Sequence, residues 1–222
     1  MTPAIDIPRA RFNMIEQQIR PWDVLDQDVL DLLMVVKRED FVPPALRALA
    51  FTDMEIPLGA GVSMWTPKME ARVLQELQIK AHDRALEIGT GSGYFAALLA
   101  HRCHAVTSVE IDPALKAMGQ KNLQAAGLTD VRVALGDGAQ GYGSETYDVI
   151  VLTGSVPVQP DALLAQLKAG GRLFAVTGDA PVMTARLYTK ALAAAEGIAS
   201  VALFETVVAP LANAAQPVRF KF

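Results

Sequence analysis

A carboxylate followed by three glycines at alternate positions marks out Leu86-Glu87-Ile88-Gly89-Thr90-Gly91-Ser92-Gly93-Tyr94 as a ligand loop. Glycine has no Cβ and tolerates positive φ, so the backbone turns sharply and a ligand comes close to it. Residues 84–88 before the loop read as a short buried strand and Tyr94 onward as a helix, whose first N–H groups would face the ligand. This is the geometry of a nucleotide-type site at the carboxyl end of a parallel strand. A tight turn with no ligand is the plainer alternative. Two further acids narrow the choice. Glu110 closes an apolar strand roughly 20 residues on, where a ribose-binding carboxylate belongs, and Ile111 follows it. Asp137-Gly138 closes a third strand, Val131–Leu135, through Gly136.

The spacing discriminates between cofactors. A dinucleotide fingerprint needs G-x-G-x-x-G, and Tyr94 stands where its last glycine would fall, which argues against a nicotinamide dehydrogenase. S-adenosylmethionine carries no pyrophosphate. Glu87 would serve its ammonium, directly or through water, and loop N–H groups its carboxylate. The candidate cofactor residues are therefore Glu87, Gly89, Thr90, Gly91, Ser92, Gly93, Glu110, Ile111, Asp137 and Gly138. The E-x-G-x-G-x-G run resembles the first motif of class I methyltransferases that use S-adenosylmethionine. That resemblance implies that Asp137 accepts from the adenine amino group.

Elements that position these residues follow from periodicity. The spacing predicts strand Arg84–Ile88, helix Tyr94–Arg102, strand Ala105–Glu110, helix Pro113–Ala126 capped by Asp112, and strand Val131–Leu135. Tyr147–Leu152 is a near-continuous apolar run, hence a central strand; a helix Pro160–Lys168 and a strand Arg172–Thr177 follow. Such alternation predicts an α/β fold, a doubly wound, mostly parallel, seven-stranded, Rossmann-like sheet. Val182–Ala191 and Ile198–Val208, joined near Glu196-Gly197, predict an antiparallel C-terminal hairpin, with a helical Ala191–Ala195 as the alternative. The tail Ala212–Phe222 reads as an edge strand or an irregular arm. Ahead of the loop, a helical N-terminal cap is expected. Asp6 caps a helix over 7–19 with Phe12, Ile15 and Ile19 inward and Pro21 as its stop, and Asp26 caps a second with Val29, Leu30, Leu33 and Met34 inward. A connector runs from Lys37 to Pro44 into a short helix, Phe51–Trp65 is loop-rich, and Thr66-Pro67 opens a helix with Met69, Val73, Leu74 and Leu77 inward. Residues 1–222 read as one methyltransferase domain, with 1–65 as cap and substrate loop and 66–222 as the cofactor-binding core.

Composition agrees. With 222 residues, 51% of them hydrophobic, one domain with a large core is the default. The net charge of −4 and the absence of any Lys/Arg run argue against a nucleic-acid surface. One cysteine, Cys103, excludes an intrachain disulfide; with no secretory signal pattern and no apolar run of membrane-spanning length, a cytoplasmic protein is expected.

Most of the chain resembles the protein-L-isoaspartate (D-aspartate) O-methyltransferases. The likeness lies in Arg38-Glu39-Asp40-Phe41-Val42-Pro43, the Asp53–Gly59 loop, Pro67, the glycine motif, Gly136-Asp137-Gly138 and Gln166–Leu173. It implies methylation of isoaspartyl carboxylates in damaged proteins or peptides. One departure is plain. The family loop reads like G-x-G-Q-T-I-S-Q-P, and its serine contributes to the site where substrate meets methyl donor. Here the loop is Gly61-Val62-Ser63-Met64-Trp65-Thr66-Pro67, which puts Trp65 at the serine and Ser63 at the threonine. A carboxylate acceptor is already ionised at neutral pH and needs no general base, so positioning supplies much of the rate. Three readings stay open for Trp65. It alters acceptor choice, it fills the peptide site so that a small-molecule acceptor is used, or it only packs, with Ser63 as a turn residue. A non-catalytic S-adenosylmethionine-binding protein is a further alternative.

His101-Arg102-Cys103-His104 lacks zinc-site spacing and reads as a helix end. Asp148 reads as a structural bridge, the Thr153 and Ser155 hydroxyls as lining for an acceptor pocket or as an ordinary loop, and Trp22 as a core anchor or a lid.

Overall fold

A computed structural model describes residues 6–59, 61–193 and 197–217. Its main sheet has seven strands in the order β5-β4-β3-β6-β7-β8-β9. These are β3 (Arg84–Ile88), β4 (Ala105–Glu110), β5 (Arg132–Leu135), β6 (Tyr147–Val156), β7 (Leu167–Asp179), β8 (Val182–Lys190) and β9 (Ile198–Glu205). Pairing is parallel from β5 through β7 and antiparallel for β7–β8 and β8–β9. The predicted central strand is the middle one of the seven. Helices α3 (Pro67–Leu77), α4 (Tyr94–Ala100), α5 (Pro113–Ala125) and α6 (Asp161–Ala165) complete the alternation. Buried residues form two clusters. One joins α3 and α4 to the N-terminal segments, and the other packs Leu163 and Leu164 of α6 against Ile150, Leu173 and Tyr188.

The cap begins with α1 (Ile7–Met14), capped by Asp6, and continues as a π-wound stretch Ile15–Ile19 and a 3-10 turn Arg20–Trp22, so the winding runs past Pro21. Its inward face is Arg11, Met14, Ile15 and Ile19 rather than the predicted Phe12, which is 54% exposed. The reason is electrostatic: the Arg11 guanidinium turns inward to bond the buried Glu39 carboxylate, which rotates Phe12 outward. In α2 (Gln27–Val35), capped by Asp26, Leu32 is buried beside Leu33, and the predicted Met34 faces out. Trp22 packs against Phe204 of the C-terminal hairpin, ring centroids 4.8 Å apart.

Other corrections are local. The loop-rich stretch contains an antiparallel pair, β1 (Ile56–Gly59) and β2 (Val62–Met64). The helix after β6 is only Asp161–Ala165, and β7 starts at Leu167, its register with β6 shifting across the Gly170-Gly171 stretch. Residues 191–193 are not helical; Gly197 of the predicted hairpin turn has positive φ, and its carbonyl accepts from Ala191 N at 3.0 Å, while residues 194–196 and Val218–Phe222 of the tail fall outside the described residues. Asp148 Oδ2 accepts from Arg84 N at 2.8 Å and Lys168 Nζ at 2.7 Å, tying three strands together.

Candidate active site

The carboxyl ends of β3, β4 and β6, the β1–β2 hairpin and residues 208–212 of the tail enclose a cavity of about 550 Å³. Among the described residues its charged wall groups are Glu55, Glu70, Glu87, Glu110, Asp112 and Asp137, and none is Lys or Arg. Such a wall suits a ligand with positive charge and disfavours a pyrophosphate.

Glu87 sits at its floor with no solvent exposure. The pairing register sets it beside Ser108 of β4. Ser108 Oγ donates to Glu87 Oε2 at 2.5 Å, and its own acceptor site faces Thr90 Oγ1 at 2.6 Å. With the Ser108 proton committed to the carboxylate, Thr90 must be the donor of the second bond. Glu87 Oε1 has no partner among the described residues. Burial first, then the charge of Glu110, pushes its pKa up to about 8 against the pull of the Ser108 bond. A buried carboxylate with an empty acceptor site is where an ammonium fits.

Glu110 takes a different set of partners. Its Oε2 accepts from Gly91 N, and its Oε1 accepts from Ile111 N and Asp112 N, so the strand end holds both the glycine loop and the start of α5. Asp137 Oδ1 accepts from Ala139 N, and Oδ2 accepts from Asn213 Nδ2 at 2.8 Å, which links this acid to the tail. Gly89, Gly91 and Gly93 all have positive φ. Gly93 does not line the cavity as expected; it caps α4, and a Cβ there would meet Gly119 O at 2.9 Å. Gly119 is a residue that sequence reading missed. A Cβ on it would meet Thr90 Cγ2 at 2.6 Å and Gly91 O at 3.0 Å. Helix propensity alone favours Gly119→Ala by about 1 kcal/mol. The contact reverses this, and we expect cofactor affinity to fall by roughly tenfold, because a one-methyl overpacking displaces the loop. Calorimetric titration checks this; unchanged affinity would refute the packing role.

Another wall of the cavity is built by the hairpin and the residue that follows it. Ser63, Met64 and Trp65 line it, with Phe95 and Glu70 behind. Trp65 is buried, its ring edge-on to Phe95 at 5.7 Å and Phe174 at 5.9 Å. Arg38 anchors this wall. Its guanidinium donates from Nε to Glu70 Oε2 at 3.0 Å, from Nη1 to Ala50 O at 2.8 Å and from Nη2 to Trp65 O at 2.6 Å. The Thr153 hydroxyl is committed to the carbonyls of Ile88 and Gly89, and the Ser155 hydroxyl to Val208 O, so neither is left for an acceptor. Ser155 also bonds Ala209 O through its N–H and receives Leu211 N at its carbonyl, which pins the tail across the cavity. No local periodicity in the tail signalled this. Burial pushes the Cys103 thiol up to about 11, which leaves it unreactive.

The strand order, the glycine loop at the end of β3 and an acid at the ends of β4 and β5 define a Rossmann-like methyltransferase. The model of the family described as protein-L-isoaspartate(D-aspartate) O-methyltransferase (PCMT) matches residues 10–203, and the chain belongs to that family. A protein-L-isoaspartate O-methyltransferase of Methanoculleus marisnigri is 44% identical over 171 residues, 77% of this chain and 78% of its own. One of Herpetosiphon aurantiacus is 39% identical over 171 residues, 77% of this chain and 76% of its own. Among solved structures, a Plasmodium falciparum protein described as a protein-L-isoaspartate O-methyltransferase in complex with S-adenosyl-L-homocysteine superposes with a TM-score of 0.77 at 19% identity. The match covers 94% of this chain and 99% of that one, a likeness of fold.

Proposed function

We propose that the protein transfers a methyl group from S-adenosylmethionine to the free carboxylate of isoaspartyl residues in damaged polypeptides. The carrying observation is Glu87 Oε1, a buried acceptor with no partner, on the floor of an anionic cavity. Membership of a family whose named relatives are protein-L-isoaspartate O-methyltransferases supports the acceptor. When bound, S-adenosylmethionine supplies an electrophilic methyl on a cationic sulfonium. Glu87 would hold its ammonium, Glu110 its ribose hydroxyls and Asp137 its adenine amino group, with the glycine loop against its amino-acid end. The cavity wall keeps water from the reacting atoms, and the hairpin with Ser63 and Trp65 presents the acceptor. No general base is needed for an ionised carboxylate.

We read residues 1–65 as cap and substrate loop and 66–222 as the cofactor core of one domain. Among the described residues no helix is long and apolar enough to cross a membrane. The single cysteine fits a reducing, cytoplasmic setting. The test is transfer of labelled methyl to an isoaspartyl peptide and not to its aspartyl counterpart. Absence of transfer under conditions where S-adenosylmethionine binds would overturn the reading.

A further inference from the structure

The C-terminal tail is held against the cavity by one buried residue. Residues 208–212 line the cavity, and Ser155 of β6, 1% exposed, bonds to them through both backbone and side chain. Its Oγ and N donate to the carbonyls of Val208 and Ala209, and its carbonyl accepts from Leu211 N, each at 2.9 Å. Leu211 also lies on Gly154, where a Cβ would meet Leu211 Cδ2 at 2.8 Å and Ala209 O at 3.1 Å. The course of the tail is therefore fixed as far as Leu211. Farther on, Asn213 has a φ of 58°, in the left-handed region that asparagine adopts more readily than most residues. Its Nδ2 donates to Asp137 Oδ2 at 2.8 Å, and its carbonyl accepts from Gln140 Nε2 at 3.5 Å. Asp137 itself lines the cavity, and Ala139 N holds its other oxygen. With both oxygens bonded, the carboxylate is held against rotation. A carboxylate has about four acceptor sites, so these bonds leave room for a ligand donor.

We propose that Asn213 is a positioning residue for the cofactor. It orients the Asp137 carboxylate towards the adenine amino group, so the C-terminal tail takes part in telling adenine from a purine that lacks that group. This rests on the assignment of Asp137 to the amino group in the function proposed above. Asn213 acts through Asp137 and not on the ligand. A carboxylate without this bond turns more freely and has to be ordered on binding. One already held loses less freedom and binds more tightly. The gain is confined to ligands that offer a donor to Asp137. For a ligand without that donor, the orientation of the carboxylate has no bearing on affinity.

Asn213→Gly accepts the same positive φ and removes only the amide. The test is calorimetric titration of the full chain with S-adenosylhomocysteine and with S-inosylhomocysteine, in which an oxo group replaces the adenine amino group. Wild type should bind the adenosyl ligand about 10- to 100-fold more tightly, as for a hydrogen bond to a charged group. In N213G that preference should fall by about 3- to 10-fold, through weaker binding of the adenosyl ligand. Affinity for the inosyl ligand should stay within about twofold, since it makes no use of the oriented carboxylate. A tail that only packs would weaken both ligands alike, so a preference equal to that of wild type overturns the proposal. Should N213G fail to fold, Asn213→Asp supplies the same comparison. It keeps the size and the tolerance of left-handed backbone but sets a second carboxylate against Asp137, and it too should lower the preference. A wild type that binds both ligands equally overturns the assignment of Asp137 and this proposal with it. A wild type that binds neither overturns the cofactor reading as a whole.

Discussion

Glu87→Gln is expected to weaken S-adenosylmethionine binding by about 100-fold while leaving the ligand-free protein at least as stable as wild type. The affinity change follows from replacing a charge-assisted bond to an ammonium by a neutral one at a buried position, worth about 2–3 kcal/mol. The stability expectation has the opposite sign because a buried carboxylate is costly when ionised. Its pKa is raised from 4.5 to about 8, chiefly by burial. A raised carboxylate contributes stability that is fully present below the unfolded pKa and disappears as pH climbs through the folded one. Ligand-free wild type is therefore expected to lose about 2–5 kcal/mol between pH 4.5 and 8 from this group, an order-of-magnitude figure from the shift. E87Q lacks that slope. Wild-type affinity for the cofactor should rise from pH 6 towards pH 8 as Glu87 ionises more readily. Calorimetric titration and denaturant unfolding across this range test both; an E87Q protein with wild-type affinity would remove Glu87 from the site.

Arg38→Ala is expected to cost about 3–5 kcal/mol, a large share of the stability of a domain. Arg38 is 1% exposed, and its side chain satisfies one carboxylate and two carbonyls from three separate segments. Removing it leaves Glu70 buried without its cation. The Glu70 pKa is already raised to about 7 by burial, so part of the loss is absorbed by protonation, and the deficit should be smaller at pH 6 than at pH 8. A double change, Arg38→Met with Glu70→Leu, should recover part of the loss, because an apolar pair of similar volume replaces a buried ion pair. The carbonyls of Ala50 and Trp65 would remain unserved, so recovery is incomplete. Urea unfolding of the two variants checks this, and a single variant within about 1 kcal/mol of wild type would show that Arg38 does not anchor the hairpin.

The glycine loop, its flanking strand and helix, and the acids closing the next two strands were legible because each rests on a local rule. Glycine permits the turn, an Asp-Pro pair starts a helix, and an apolar run marks a central strand. Strands β3 and β4 match their predicted bounds. What escaped was set by contacts distant in sequence. Ser108 looks like any strand serine until the register brings it opposite Glu87. Gly119 is an unremarkable helix residue until α5 lies on the glycine loop. Phe12 was placed inward by periodicity alone, but the inward pull of Glu39 on Arg11, 28 positions away, decides that helix face. The tail gave no signal, since its place over the cavity is fixed by Ser155 and Asp137 and not by its own pattern.

The contact between α5 and the loop reaches beyond packing. Gly119 lets the helix backbone press on Thr90, Gly91 and Gly93, and Glu110 fastens Gly91 and the first residues of the same helix to the strand end. Folding has thus already spent the chain entropy that a free glycine-rich segment would lose on complexation. These contacts hold the cradle in shape ahead of any guest, so attraction to the guest goes into affinity rather than into ordering the host.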